Sequence, residues 1–247
     1  MEHLSRNPHT LVTSDVENNN SAYFFLKRCM DITIVLFSLL LIAPLLLLIA
    51  ILVKFDSPGP VIFVQKRVGS RRVFDGEKWV FEPYQFNMYK FRSMKLGVSS
   101  KIHREFMKAY IHGDEEKLDQ IRSERQKEKA QYKIVNDPRV TKLGLFLRKS
   151  SLDELPQLLN VLKGEMSLVG PRPAIPYEVE LYKPWHHQRL ETMQGITGLW
   201  QVKGRSQTTF DDMVSLDIEY IHSRSIRQDI SLLLSTIPAS LYGKGAR

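Results

Sequence analysis

The chain has 247 residues, enough for one good core or for one domain carrying an insertion. Its 43% hydrophobic and 25% charged content is that of an ordinary folded protein. The net charge of +8 is less ordinary and asks for an anionic partner: nucleic acid, an anionic membrane face or a phosphate-rich substrate.

In chain order, the polar cluster Glu17-Asn18-Asn19-Asn20 marks a flexible tail over residues 1–24. Cys29, the one cysteine, excludes an internal disulfide and suits a reducing, cytoplasm-facing domain. Ile32 to Val53 carries no charge and is long enough to cover the hydrocarbon core of a bilayer, which sets a membrane helix over 25–56. It starts too deep in the chain for a secretory signal, and too few residues precede it for a further membrane segment. Pro44 at its middle removes a donor and predicts a kink. Lys27 and Arg28 precede the run, and Lys54, Lys66, Arg67, Arg71 and Arg72 follow it. A spanning helix with a tolerated proline and a re-entrant helix bent at Pro44 both satisfy these residues, and only the second keeps both basic flanks on one side. In either arrangement Lys27 and Arg28 are expected at the interface, anchoring the helix or meeting headgroups.

Residues 57–247 form the folded domain. Asp56-Ser57-Pro58-Gly59-Pro60 breaks the chain ahead of the β-prone Val61–Val64; Val73–Phe81 and Gln85–Phe91 read as further short strands. Residues 101–133 are charge-dense and helical, with a break at Gly113-Asp114 and a thin stripe of Leu118 and Ile121, and predict a solvated helical hairpin inserted into the domain. Ile226, Ile230, Leu233, Leu234 and Ile237 fall at near-helical spacing; the stripe is either core or a lipid-facing surface, and core is the preferred assignment. The expected class is α+β, mostly helical with a small β element.

Chemistry concentrates in SLDELPQLLNVLKGEMSLVGPRP, residues 151–173. Ser151-Leu152-Asp153-Glu154 fits a capping box, but that places Pro156 just past the first turn; a cap at Asp153 tolerates the proline better. The second choice sets Asp153 and Glu154 at a helix mouth, where the dipole keeps a carboxylate ionised for use as nucleophile or metal ligand. For an isolated pair, simple capping is the better explanation. Around it stand Arg148, Arg172 on the stiff GPRP turn, Lys90 in FNMYKFRSM and Arg205 in GITGLWQVKGRS, residue types suited to phosphate oxygens. Two carboxylates ringed by cations match phosphoryl chemistry with Mg²⁺. Basic residues are dispersed, without a helix-turn-helix, an RNA-binding aromatic pair or a zinc pattern, so nucleic acid is not the expected partner.

The order KRCMDITIV, an apolar run with central proline, MYKFRSM, LRKSSLDELPQLLNVLKGEMSLVGPRP and GITGLWQVKGR resembles the bacterial sugar transferases, the monotopic polyprenyl-phosphate phosphoglycosyl transferases, over roughly Phe25 to Tyr242. The resemblance implies a monotopic protein of the bacterial inner membrane, with a re-entrant helix bent at Pro44 and a catalytic domain on the cytoplasmic face. It implies transfer of a phosphosugar from a UDP-sugar to undecaprenyl phosphate with release of UMP, initiating polysaccharide or glycoconjugate assembly. Asp153 takes the place of the family nucleophile, with a covalent aspartyl-phosphosugar intermediate. Glu154 takes the place of its Mg²⁺-associated neighbour, the dyad being the expected metal ligands, and Lys90, Arg148 and Arg172 fall on the family's basic positions. Two positions depart from the pattern: Ala43 replaces the serine before the bend proline, and Gln194 replaces a proline before GITG. The competing readings are a membrane-tethered basic protein binding anionic lipid, with the dyad as a cap, and a nucleotide-sugar hydrolase.

Overall fold

The computed structural model describes residues 21–94, 101–127, 140–203 and 208–241. Its first element, α1 (Ser21–Asp56), opens ahead of the predicted start at 25 and stays helical through Pro44. It is long and apolar enough for membrane association, and Phe37, Leu40, Leu41 and Leu47 on its middle are exposed. Tyr23, Lys27, Asp31 and Val35, four residues apart, form a buried stripe on one face.

That stripe corrects the expectation for Lys27. Lys27 is 3% exposed, its Nζ 2.8 Å from Asp229 Oδ2, and the Tyr23 and Tyr220 hydroxyls donate to the same carboxylate. Arg28, half-buried, donates to the Val161 and Leu162 carbonyls. Asp31 accepts from the Ser167 hydroxyl at 2.7 Å and the Leu168 N–H at 3.3 Å. A buried polar group must be paired, and Lys27 and Asp31 find their partners inside the protein. Toward the far end of α1, Ile49 and Val53 pack with Phe91 and Leu147. The Arg92 guanidinium donates to the Val53, Ser57 and Pro60 carbonyls and so ties the helix end to the sheet.

The sheet is a hairpin. β1 (Ile62–Phe74) runs antiparallel to β2 (Trp79–Phe91), in register from Ile62 opposite Phe91 to Phe74 opposite Trp79. The run Val73–Phe81 is therefore two strand ends and a turn. Asp75 Oδ1 accepts the N–H groups of Glu77 and Lys78, and Gly76 takes φ 106°. Asp-Gly between β-prone runs carries that signal. Pro83, opposite Ser70, is tolerated because a two-stranded ribbon has only edges.

α2 (Lys101–His112) and α3 (Glu115–Lys127) form the predicted charged hairpin, broken at Gly113 with φ 70°. Residues 128–133 lie outside the described residues. Leu118 is buried against Phe106 and Ala109, as the thin stripe requires. α2 is more than a solvated face: Ile111, Met107 and Tyr110 pack with Ala174, Tyr182, Phe210 and Val214.

The remaining elements are short: α4 (Lys142–Lys149), a 3-10 turn over Leu152–Gln157, α5 (Leu158–Lys163), β3 (Ser167–Val169), α6 (Pro176–Val179), a second 3-10 turn over Pro184–Leu190, β4 (Gly195–Thr197) parallel to β3, and α7 (Leu199–Lys203). α8 (Phe210–Ser223) and α9 (Ile226–Leu241) follow. Val35, Phe86, Met88, Val161, Val169 and Leu232 lie in the central core. The predicted α9 stripe divides: Leu233 packs partly buried on this core, and Ile230 and Leu234 are exposed. The molecule is mostly helical with a small β element, as expected.

Candidate active site

The acidic pair sits on the 3-10 turn between α4 and α5. Neither predicted cap forms. Ser151 adopts the left-handed region, φ 56° and ψ 14°, and its side chain makes no capping bond; Asp153 lies inside the turn rather than before it. Pro156 has no N–H to give, which favours this tighter, irregular path over a regular α-turn. A left-handed non-glycine residue costs on the order of 1–2 kcal/mol and persists where its surroundings fix it. Here Leu152 and Leu155 are held in the apolar cluster with Val53 and Phe91. Asn160, fully buried, staples the following helix to β2: its amide donates to the Asn87 carbonyl and Glu165 Oε2 and accepts the Tyr89 N–H. The turn is thus registered against the strand carrying Lys90.

Lys90 Nζ lies 2.6 Å from Glu154 Oε1, and an Arg172 guanidinium nitrogen lies 3.6 Å from the same oxygen. Arg148 adds its positive field at Asp153. Of the predicted cations, Lys90, Arg148 and Arg172 are therefore gathered around the dyad; Arg205 lies outside the described residues. Arg67, counted at first among the charges flanking the membrane run, is 8% exposed and belongs here. It donates to the Pro173 carbonyl at 3.0 Å and to Gln65 Oε1 at 2.7 Å, and its charge acts on Glu154. Its buried, supporting place behind the GPRP turn depends on a tertiary contact that local charge counting does not reveal.

Burial and neighbouring cations split the two carboxyls. Burial pushes Asp153 up to about 6, with Lys90 opposing that rise and Glu154 adding to it. Burial would raise Glu154 too, but Lys90, Arg172 and Arg67 hold it at about 2. A value of about 6 still leaves Asp153 mostly ionised at neutral pH, although burial works against its charge. Glu154 is a fixed anion locked to Lys90. Asp153 is 7% exposed and accepts no hydrogen bond from the described residues, so its oxygens are uncommitted.

Close backbone approach sets Arg172. A Cβ on Gly195 would lie 2.1 Å from Gly170 N, and one on Gly170 would lie 2.3 Å from the Met193 carbonyl oxygen. Only glycines allow the two loops to touch. Gly170 N–H donates to Thr197 O and Gly195 N–H to Pro171 O, each at 2.8 Å. Gln194, in place of the family proline, is buried; its side-chain amide donates to Thr192 O and its backbone carbonyl accepts from Ser167 N–H, so the loop is pinned without that ring.

No group of three or more His, Cys, Asp or Glu side chains capable of holding a metal exists among the described residues. The dyad supplies two carboxylates, which suits Mg²⁺ when substrate phosphates and water complete its shell.

Residues 22–243 match the family described as bacterial sugar transferase. The exopolysaccharide production protein ExoY of Rhizobium meliloti is 38% identical over 220 residues, spanning 89% of this chain and 87% of the relative. The undecaprenyl-phosphate galactose phosphotransferase of Salmonella typhimurium is 37% identical over 240 residues, 96% of this chain and 45% of the relative. The galactosyl transferase CpsE of Streptococcus agalactiae is 36% identical over 241 residues, 97% of this chain and 47% of the relative. The chain thus spans about half the length of the last two and most of the first. With its Asp-Glu turn, GPRP clamp and apolar helix on one continuous match, the chain belongs to the bacterial sugar transferase family.

Proposed function

We propose that this protein moves a phosphosugar from a UDP-sugar to a polyprenyl phosphate such as undecaprenyl phosphate, at the cytoplasmic face of the bacterial inner membrane. The observation that carries the reading is the divided dyad: an uncommitted Asp153 carboxyl beside a Glu154 fixed by Lys90 and Arg172. An Asp153 oxygen attacks the β-phosphorus of the donor. The bond from that phosphorus to the bridging oxygen breaks, and UMP leaves with the electron pair. A phosphate oxygen of the polyprenyl acceptor then attacks the aspartyl-phosphosugar, releasing polyprenyl diphosphate-sugar and restoring Asp153. Arg148, Arg172 and Lys90 lie where charge builds on the transferring phosphoryl group. Asp153 and Glu154 would hold Mg²⁺, whose chemistry is to neutralise the diphosphate. Relatives bearing the names of undecaprenyl-phosphate galactose and glucose phosphotransferases support the substrate classes.

The packing of α1 supports a monotopic arrangement. A helix crossing the bilayer separates its ends by a hydrocarbon core of roughly 30 Å. Here α1 packs on the domain through Tyr23–Val35, through the partly buried Leu39, Ile42 and Leu46, and through Ile49–Val53, with its other apolar face exposed. A helix that enters one leaflet and returns fits these contacts and keeps the dyad near acceptor headgroups.

Nucleotide release tests the assignment. Detergent-solubilised protein with Mg²⁺ and UDP-galactose or UDP-glucose should release UMP continuously only when polyprenyl phosphate is added. Release that continues without lipid points to a hydrolase; no release across a UDP-sugar panel points to a binding protein.

A further inference from the structure

Behind Arg172 the structure holds a cavity of about 250 Å³ that the chemistry above leaves unassigned. Its walls include Met107 and Tyr110 of α2, Trp200 of α7, and Phe210 and Met213 of α8. We propose that this cavity seats the pyrimidine ring and ribose of the nucleotide donor, so that the charged α2–α3 insertion is part of the donor site. The inference rests on the transfer reading for the identity of the donor.

Three observations favour a nucleoside over a hexose. Beside charged and aliphatic residues, the walls offer aromatic and thioether surfaces, which stack on a flat ring. Two charged groups on the wall are already committed within the protein: Arg189 pairs with Asp217 at 2.7 Å, and Glu178 accepts the Ile175 N–H at 2.9 Å. Two donors on the wall, Arg67 Nε and Trp200 Nε1, are shut off from solvent and have no partner among the described residues. A buried unpaired donor is costly, and a pyrimidine carbonyl brought in beside each, with a small side-chain adjustment, would remove that cost. The volume, about 250 Å³, falls just below the usual range for drug-sized ligands, which favours a ligand as small as one nucleoside.

Arg172 fixes the direction. Its side chain lines the cavity and also reaches within 3.6 Å of Glu154. A nucleoside in the cavity therefore sends its phosphates past Arg172 toward Asp153.

The test uses the full chain in detergent with UMP, GMP and inorganic pyrophosphate as probes. Wild type should bind UMP more tightly than GMP. Trp200→Leu and Tyr110→Leu should each weaken UMP by about tenfold, from lost stacking, and leave pyrophosphate affinity unchanged. In turnover the KM for the UDP-sugar should rise with little change in kcat, as for an interaction present equally in ground and transition states. Unchanged UMP affinity in both variants, or equal loss of UMP and pyrophosphate, overturns the proposal. Because either variant could disturb folding, photo-crosslinking of 5-iodouridine monophosphate to the unmutated protein gives an independent reading. Label on the peptides holding Met107, Tyr110, Trp200 or Met213 supports it, and label confined elsewhere refutes it. Failure of the transfer reading looks different: UMP would still bind and crosslink here, but UDP-sugars would yield no lipid product.

Discussion

At the scale of single residues, the account turns on two adjacent carboxyls held in different protonation ranges. Asp153 must be ionised to attack, and burial sets its folded value at about 6. In the free enzyme kcat/KM should therefore climb about tenfold per pH unit below that value and level off above it. Lys90 is the largest influence pulling Asp153 down, so Lys90→Met should move the acidic limb upward by roughly one unit while lowering the plateau. A limb below pH 4, or one unmoved in Lys90→Met, would show that a different group limits the rate. The sequence made the acidic pair and its three described cations legible, because phosphate chemistry restricts which residue types serve. It did not reveal the division between the two carboxyls, which comes from how deeply the 3-10 turn is packed. Arg67 was equally opaque: within QKRVG it reads as one more exposed charge on a strand, and only the fold turns it toward Pro173.

At the scale of elements, α1 shows why a pattern correct in kind can mislead in detail. Basic residues beside an apolar run ordinarily lie in the headgroups, and the local pattern sets the same expectation for Lys27. What the local pattern lacks is Asp229, more than two hundred residues later, which meets Lys27 in a buried pair. Breaking such a pair from one side leaves a desolvated charge, at a cost of about 3–5 kcal/mol. Lys27→Met should accordingly lower the melting temperature in detergent, and Lys27→Met combined with Asp229→Leu should recover part of the loss. If Lys27→Met melts with wild type, the pair is not what seats α1 on the domain. The hairpin carries a similar lesson. β-prone residues run through Val73–Phe81, but Asp75-Gly76 supplies the local geometry that ends one strand and starts the next.

For the whole molecule, the governing feature is that one domain grips both ends of an apolar helix. The sequence placed the helix and its proline, and left its path through the membrane undecided, because hydropathy measures length and not direction. Tertiary contacts at Val35 and at Ile49–Val53 support the proposed monotopic path. Cysteines introduced at Ser21 and Asp56, in a background lacking Cys29, should both react with an impermeant maleimide from the cytoplasmic side of inverted vesicles. Labelling from opposite sides would establish a spanning helix and require α1 to leave the domain in the membrane. The charged insertion acquires a place at this scale as well, since α2 lends Met107 and Tyr110 to the cavity behind Arg172.

The claim on which the mechanism stands is that Asp153 carries the phosphosugar between donor and lipid. Incubating the protein with a UDP-sugar labelled in the β-phosphate, with Mg²⁺ and no acceptor, then digesting and mapping by mass spectrometry, tests it directly. The account predicts label on the peptide containing Asp153, chased off by polyprenyl phosphate and absent from Asp153→Asn, which should also lose transfer. Normal lipid-dependent turnover with Asp153 never labelled, or substantial transfer by Asp153→Asn, would contradict it.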